Sequence, residues 1–365
     1  MALTGMQIFL VVLLGGLCLL SYLMPRLTRR DLYFAVTVPP PFRDSPDGVK
    51  ILRRYRAEVI VQSLIGLALA LLSLRPRPIV WLFLLGLGWQ VVGCFVAYLR
   101  ARWRVMPHAV GPIPVREAEL ALRPGRLPGG WVIQLAPFAI LAAAAVWLYL
   151  HWQEIPERFP VHWGFDGKPN GWAQRNFSGV YSSLIVAGII CAGLALFAYG
   201  TLRWTRRIQV RGGPAKSETR FRHTILWVLL ATEYFLALMF SWVSTFALRG
   251  ERAMPSPVAT ILSALAFTIV ITVVLVCTGQ GGSRLAEYRS ASPEQAATPV
   301  GDRTLDRYWI AGVIYYNRDD PAIIVEKRFG VGYTLNLAHP LPWIVVALLA
   351  LVPLALSLLM HLHSG

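Results

Sequence analysis

Charge is scarce in this sequence. Asp, Glu, Lys and Arg make up only 15% of the residues, whereas soluble proteins carry about 25%. Hydrophobic residues make up 56% instead, and they fall in unbroken runs of about 20 residues, which is the length that crosses a bilayer. This composition argues against a soluble globule and predicts an all-α polytopic membrane protein.

Cysteine motifs and catalytic motifs are also missing. The four cysteines lie in four different apolar runs without CxxC spacing, which argues against a disulfide framework and against a thiolate zinc site. We find no H-E-x-x-H, P-loop, GxGxxG or Ser/His/Asp order, and no nucleic-acid-binding module. We therefore expect a protein without a cofactor that is not an enzyme, and an intramembrane enzyme is the least favoured class.

Eight apolar runs predict transmembrane helices at residues 3–24, 57–74, 78–99, 131–152, 179–202, 224–248, 257–278 and 341–361. The first run has its arginines after it, which favours a retained helix over a cleaved signal peptide. About four-fifths of the 35 Lys and Arg residues lie in alternate connecting segments. The positive-inside rule places these segments in the cytoplasm and both termini outside. The net charge of +16 thus reflects contact with the lipid bilayer rather than nucleic-acid binding.

These runs divide the chain into five predicted units. Residues 1–130 form a three-helix unit with basic cytoplasmic loops, in which residues 49–56 are expected to form a short basic helix on anionic lipid. Residues 131–202 form a helix–loop–helix unit, 203–278 hold helices six and seven, 279–340 hold a linker and a small β-rich segment, and 341–365 hold the last helix. Glu58 is expected to pair with Arg54 at the cytoplasmic end of the second helix.

A polar, turn-rich stretch at residues 155–176 follows the fourth helix on the predicted outer side. Its candidate binding residues are Pro160, His162, Trp163, Asp166, Gly167, Asn170 and Trp172. A rigid exposed loop of this kind can bind a peptide or an envelope component. The alternative is a purely structural role, in which the polar residues only stabilise the turns of the loop. Possible metal ligands also lie there, namely His151, Glu154, Glu157, His162 and Asp166. They lack the dense spacing of a zinc site, so no metal is predicted.

Glu233 lies near the middle of the predicted sixth helix, in the run LLATEYFLALMF. An ionised carboxylate is costly in a bilayer, so this side chain should be protonated, paired or open to a polar cavity. One interpretation is a proton or cation site, as in a secondary transporter. The other is a hydrogen bond between helices, with Gln62, Gln90, Gln134 or a tyrosine as the partner. The sequence leaves both open.

Two segments resemble known families. The first contains Ile155-Pro156, Pro160-Val161-His162-Trp163 and Asp166-Gly167-Lys168-Pro169. It resembles a membrane domain of unknown function, numbered 1648, that occurs in bacterial SdpI-type immunity proteins and their relatives. The resemblance covers residues 131–202 and implies an outward-facing loop between two helices of a bacterial inner-membrane protein. Gly164 and Asn170 depart from the usual signature, and the G-x-R-T-P-W-T motif of the characterised immunity protein is absent.

The second segment, residues 308–336, reads YWIAGVIYYNRDDPAIIVEKRFGVGYTLN. It resembles a domain of unknown function numbered 5808. The residues that carry this signature are Tyr316, Asn317, Asp319, Asp320, Pro321, Lys327, Arg328, Gly330, Gly332 and Asn336. Strand-like runs at 310–316 and 322–325 flank a turn, so we predict a small β-rich cytoplasmic unit. Its acidic turn could bind a cation, but such a sequence more often shapes the chain.

Taken together, the residues and the resemblances predict an integral membrane protein of the bacterial inner membrane. We expect a binding, sensing or immunity-type factor of the envelope. Its expected partners are the lipid bilayer, an extracytoplasmic peptide or envelope component, and a cytoplasmic regulator. A secondary transporter that uses Glu233 is the alternative.

Overall fold

The computed structural model describes residues 5–74, 79–111, 126–163, 169–205, 213–249, 257–286, 304–347 and 351. Within these ranges, seven helices are long and apolar enough to cross a membrane, which confirms a polytopic helical membrane protein. They are α1 (Gly5–Leu27), α2 (Pro46–Leu72), α3 (Val80–Val105), α4 (Gly130–Leu150), α5 (Phe177–Arg203), α6 (Gly213–Ser244) and α7 (Pro257–Thr278). The predicted eighth helix is helical over residues 340–347, and most of the rest of it lies outside the described residues.

Two helices begin well before their apolar runs. α2 begins at Pro46, where the Ser45 hydroxyl accepts a hydrogen bond from the Gly48 backbone N–H at 3.1 Å. Residues 49–56 therefore belong to the first turns of α2. The prediction of a separate surface helix there was wrong. α6 begins at Gly213, and its residue Phe221, which precedes the apolar run, is buried in a cluster with Ile324 and Tyr333.

Within the described part of the chain, the strands form four antiparallel pairs, and each pair is a separate two-stranded ladder. They are β1 (Leu32–Tyr33) with β2 (Val36–Thr37), β3 (Arg158–Trp163) with β4 (Pro169–Gln174), β5 (Trp309–Ile310) with β6 (Ile314–Tyr315), and β7 (Ile324–Glu326) with β8 (Tyr333–Leu335). The last two pairs confirm the small β-rich segment before the final helix. The predicted strand at 310–316 is in fact a hairpin, since Ala311 and Gly312 have positive φ and turn the chain back.

Six of the seven described helices pack as two groups of three, and α7 packs against α6. α1, α2 and α3 contact one another, and α2 and α3 approach closely at Gly66 and Gly86, where an added Cβ would lie 2.8 and 2.6 Å from the opposite carbonyl oxygen. Only glycine permits such an approach between membrane helices. Gln90 of α3 donates to the Leu14 carbonyl at 2.9 Å and to the Ser63 hydroxyl at 3.1 Å. The second group contains α4, α5 and α6, with Leu141, Leu184 and Ala237 in its core.

The charge pattern places the segments after α1, α3, α5 and α7 on one side of the membrane. In the structure, these four segments lie together at one end of the helices. The Thr37 hydroxyl donates to the Asp306 carboxylate at 2.8 Å, and the Val110 N–H donates to the Thr37 carbonyl at 2.9 Å. Ile323 bonds to Trp204 after α5, and Gly332 bonds to Gln280 after α7. The β3–β4 hairpin lies at the opposite end, against residues 245–248 after α6. This arrangement agrees with the predicted alternation of the helices.

The two ends can be distinguished by labelling in a variant whose native cysteines are replaced by alanine. Gln153→Cys lies before the β3–β4 hairpin, and Asp319→Cys lies in the C-terminal β-rich segment; both positions are exposed. We expect a membrane-impermeant maleimide added to intact cells to label Gln153→Cys at once and Asp319→Cys only after the membrane is opened. Labelling of both from the same side would contradict the fold.

Candidate functional sites

The β3–β4 hairpin is a shaped element with one face on the protein. Phe159 and Ala173 pair across the ladder and are buried in a cluster with Leu148 and Ala247, at the ends of α4 and α6. The register shifts on both sides of His162. Gly171 faces His162, and an added Cβ there would lie 2.8 Å from the histidine Cβ, so the hairpin requires glycine at this position.

The candidate residues of the hairpin differ in their exposure to solvent. His162 is exposed, Pro160 is buried, and Trp172 is half-buried with the Arg158 guanidinium 5.1 Å from its ring centroid. The backbones of Trp163 and Asn170 lie in the ladder, but their side chains are outside what the structure describes, as are Asp166 and Gly167. The described part of the hairpin thus presents a histidine and an indole above an apolar base.

Polar contacts fix the hairpin to the start of α5. Asn176 caps this helix by accepting hydrogen bonds from the Gly179 N–H at 2.7 Å and the Ser178 hydroxyl at 3.0 Å. Arg175 donates through its side chain to the Ile155 carbonyl at 3.0 Å and through its N–H to the Glu157 carbonyl at 2.8 Å. Among the described residues, no group of three His, Cys, Asp or Glu could hold a metal ion.

Glu233 is fully buried in α6. Neither carboxylate oxygen has a hydrogen-bond partner among the residues described. The nearest polar contact uses its backbone, where the Cys191 thiol of α5 donates to the Glu233 carbonyl with a sulfur–oxygen distance of 3.6 Å. Two of the expected amide partners bond elsewhere: Gln90 donates to the Leu14 carbonyl and the Ser63 hydroxyl, and Gln134 donates to the Pro128 carbonyl at 3.0 Å.

The third candidate is the C-terminal unit, which we define as residues 304–339. Its acidic turn is held by its own side chains. Asp320 is buried, and its carboxylate accepts from the Tyr315 hydroxyl at 2.7 Å and from the Ala322 N–H at 2.9 Å. The Asn317 side-chain oxygen accepts from the Asp319 N–H at 3.0 Å. These bonds support the turn-shaping interpretation over a cation site.

Asn336 ties this turn to β8. Its amide nitrogen donates to the carbonyls of Asn317 at 2.8 Å, Ala322 at 3.2 Å and Asp320 at 3.3 Å. Its side-chain oxygen accepts from the Asn317 N–H at 3.0 Å. Asn336 is completely buried, so its hydrogen bonds replace all contact with water.

The remaining signature residues fall into three groups. Pro321, Asp319 and Tyr316 are exposed, and the Tyr316 hydroxyl accepts from the Arg318 guanidinium at 3.2 Å. Gly330 and Gly332 have φ of 95° and 113°, which only glycine adopts readily. Lys327 is partly buried, and burial lowers the pKa of its ammonium group.

Arg328 is fully buried and connects the unit to the β1–β2 turn. It donates to the Asp306 carboxylate, to the Thr304 carbonyl and, at 3.4 Å, to the Ala35 carbonyl of the β1–β2 turn. Sequence reasoning missed Asp306 and Ala35, because nothing local marks either residue as a partner of Arg328. It also missed Gln280, which bonds to the backbone of Gly332 through both amide atoms.

Two family models match parts of this chain. Residues 139–187 match a domain of unknown function (DUF1648), and residues 318–343 match a family of unknown function (DUF5808). These matches confirm both resemblances. The first spans most of α4, the β3–β4 hairpin and the beginning of α5, and the second spans most of the C-terminal unit. No curated protein and no solved structure shows significant similarity to the chain.

Asn336→Ala tests whether the C-terminal unit depends on its buried amide. The substitution leaves several buried backbone groups without partners, each at a cost of about 1–3 kcal/mol. We expect a loss of about 3 kcal/mol, measured by thermal unfolding in detergent micelles. Tyr316→Phe is the control, because its exposed hydroxyl should change stability by less than about 0.5 kcal/mol. Equal stability of the two variants would contradict the proposed role of Asn336.

Proposed function

We propose that the protein is a sensing factor of the bacterial envelope, embedded in the inner membrane with both termini outside. In this proposal the β3–β4 hairpin binds an extracytoplasmic peptide or envelope component. The C-terminal unit is the cytoplasmic output, where a regulator docks. Immunity to a membrane-active peptide, as the SdpI-type resemblance suggests, is one concrete form of this function.

One observation supports this proposal most strongly. α5 begins directly after β4 and ends against the C-terminal unit. At its end, the Trp204 carbonyl accepts hydrogen bonds from the N–H groups of Ile323 and Ile324, at 3.2 and 3.3 Å, and Thr205 forms a parallel bridge with Ile324. A single helix of 27 residues therefore touches both candidate surfaces. Such a helix spans about 40 Å, enough to cross the bilayer.

The hairpin can be tested directly. The triple variant His162→Ala, Trp163→Ala and Asp166→Ala removes its candidate contacts, and we expect at least a tenfold loss of survival against the membrane-active peptides that the wild-type protein protects against. The matched control is Gln153→Ala with Glu154→Ala, two exposed positions before the hairpin. Equal survival of the triple variant and the wild type, at equal amounts in the membrane, would exclude the hairpin as the binding surface.

A second function, secondary transport, is favoured by the geometry of Glu233. A buried carboxyl that lacks a partner among the described residues can exchange a proton or bind a cation during a transport cycle. Its position between α5 and α6 would couple such a step to movement of the two helices.

Glu233→Gln separates this function from the first. The amide keeps the shape of the side chain and cannot carry a proton. If the protein is a proton-coupled transporter, flux driven by a pH gradient in proteoliposomes falls to background in the variant. Flux that is unchanged, or absent from the wild type as well, would remove Glu233 as a coupling residue. Thr232→Val is the control for a neighbouring polar side chain, which bonds only within its own helix at 2.8 Å to the Val228 carbonyl.

A further inference from the structure

The α2–α3 pair carries a cluster of charge that the proposed function does not use. Glu58 of α2 is surrounded by three guanidinium groups, from Arg54 of the same helix and from Arg100 and Arg104 of α3. The expected Arg54–Glu58 pair is therefore present, but it is one of three. Three positive charges meet one negative charge, so the cluster has two positive charges in excess.

The guanidinium groups are not saturated by Glu58. Their nitrogen–oxygen distances are 3.4, 3.4 and 3.5 Å, whereas a charge-assisted hydrogen bond is about 2.7–2.9 Å long. Each contact uses one nitrogen of a group that has five N–H donors. The side chains of Arg54 and Arg100 are 66% and 52% exposed, so their remaining donors face outward.

The position of the cluster along α2 and α3 corresponds to the level of the lipid headgroups. Trp103 lies on the same face of α3, three residues after Arg100, and it is 65% exposed, as is typical of an aromatic residue at the membrane interface. Further along the helices toward the bilayer, the exposed side chains become apolar, with Val61 and Leu64 on α2 and Val92 on α3. A lipid whose acyl chains lie against this surface would place its phosphate at the arginines.

We propose that Arg54, Arg100 and Arg104 bind the phosphate of an anionic phospholipid, and that Glu58 holds the three guanidinium groups in place and limits their affinity. The occupant is a membrane lipid rather than a free phosphate because the apolar surface continues directly from the charged one. This site lies on α2 and α3, which pack with α1, whereas the β3–β4 hairpin and Glu233 belong to the group of α4, α5 and α6, so it is separate from both of those sites.

The test compares two double variants that lose the same charge. Arg100→Gln with Arg104→Gln removes two of the three cluster arginines. Arg307→Gln with Arg318→Gln removes two arginines of the C-terminal unit that stack on Tyr308 and Tyr316. The full-length protein is extracted from nanodiscs of phosphatidylcholine and phosphatidylglycerol, and the retained lipid is counted by native mass spectrometry. We expect retention of phosphatidylglycerol to fall about fivefold for each cluster arginine removed, and to stay unchanged in the control.

Three further arms make the outcome decisive. Glu58→Gln should increase phosphatidylglycerol retention, and inorganic phosphate should not displace the lipid. If the first double variant fails to fold, Arg54→Gln is compared with its exposed neighbour Arg53→Gln. Equal loss in both double variants would mean general attraction between charges, and displacement by phosphate would mean an anion site without lipid. A loss of lipid in Glu58→Gln, or unchanged retention in all variants, would likewise overturn the proposal.

Discussion

The buried guanidinium of Arg328 is the constraint on which the arrangement of this protein depends. A cation removed from water must be paired on every side, because leaving it unpaired costs several kcal/mol. Here the Asp306 carboxylate, two backbone carbonyls and the face of Trp309, 5.4 Å away, surround it. Asp306 also accepts hydrogen bonds from the backbone and hydroxyl of Thr37. The hydrogen bonds from Thr37 to Asp306 and from Arg328 to Ala35 therefore join the C-terminal unit to the chain that links α1 to α2, and the Arg328–Asp306 ion pair within the unit holds both side chains in place.

Two turns near Arg328 have a strained backbone that buried contacts stabilise, and Arg328 itself donates to the Ala35 carbonyl of the first turn. Phe34 and Ala35 have φ of 48° and 61°, in a region that costs a residue with a Cβ about 1–3 kcal/mol. Arg102 donates to both carbonyls, at 3.3 and 2.8 Å, and the Phe34 ring packs edge-on against Tyr55. The second turn, Ala311–Gly312, abuts the first, since a Cβ on Gly312 would lie 2.7 Å from that of Ala35. Buried contacts at both turns compensate for their strained backbone.

Hydropathy and charge predict the helices well, but they predict the helix ends poorly. A bilayer requires a long apolar run, so seven of the eight predicted spans appear as long helices in the described residues. The beginnings of α2 and α6 were missed because their first turns are too polar to belong to an apolar run. Asn170-Gly171 has the sequence of a turn but lies within β4, and Asp166-Gly167 lies outside the described residues. The β1–β2 turn has no glycine to mark it. Contacts such as Thr37 with Asp306 join residues far apart in sequence, and no local pattern encodes them.

The two candidate functions share one pair of helices. α5 contacts the hairpin at one end and the C-terminal unit at the other, and midway along it Cys191 bonds to the backbone of Glu233 in α6. Any displacement that passes from one surface to the other along α5 must move it against α6 at that point. A carboxyl buried there makes the contact sensitive to its own charge, because ionisation in an apolar site demands a partner or water. α6 is in turn held by Phe221, which packs against Tyr333 of the C-terminal unit. Sensing and proton coupling would therefore act on the same helix contact.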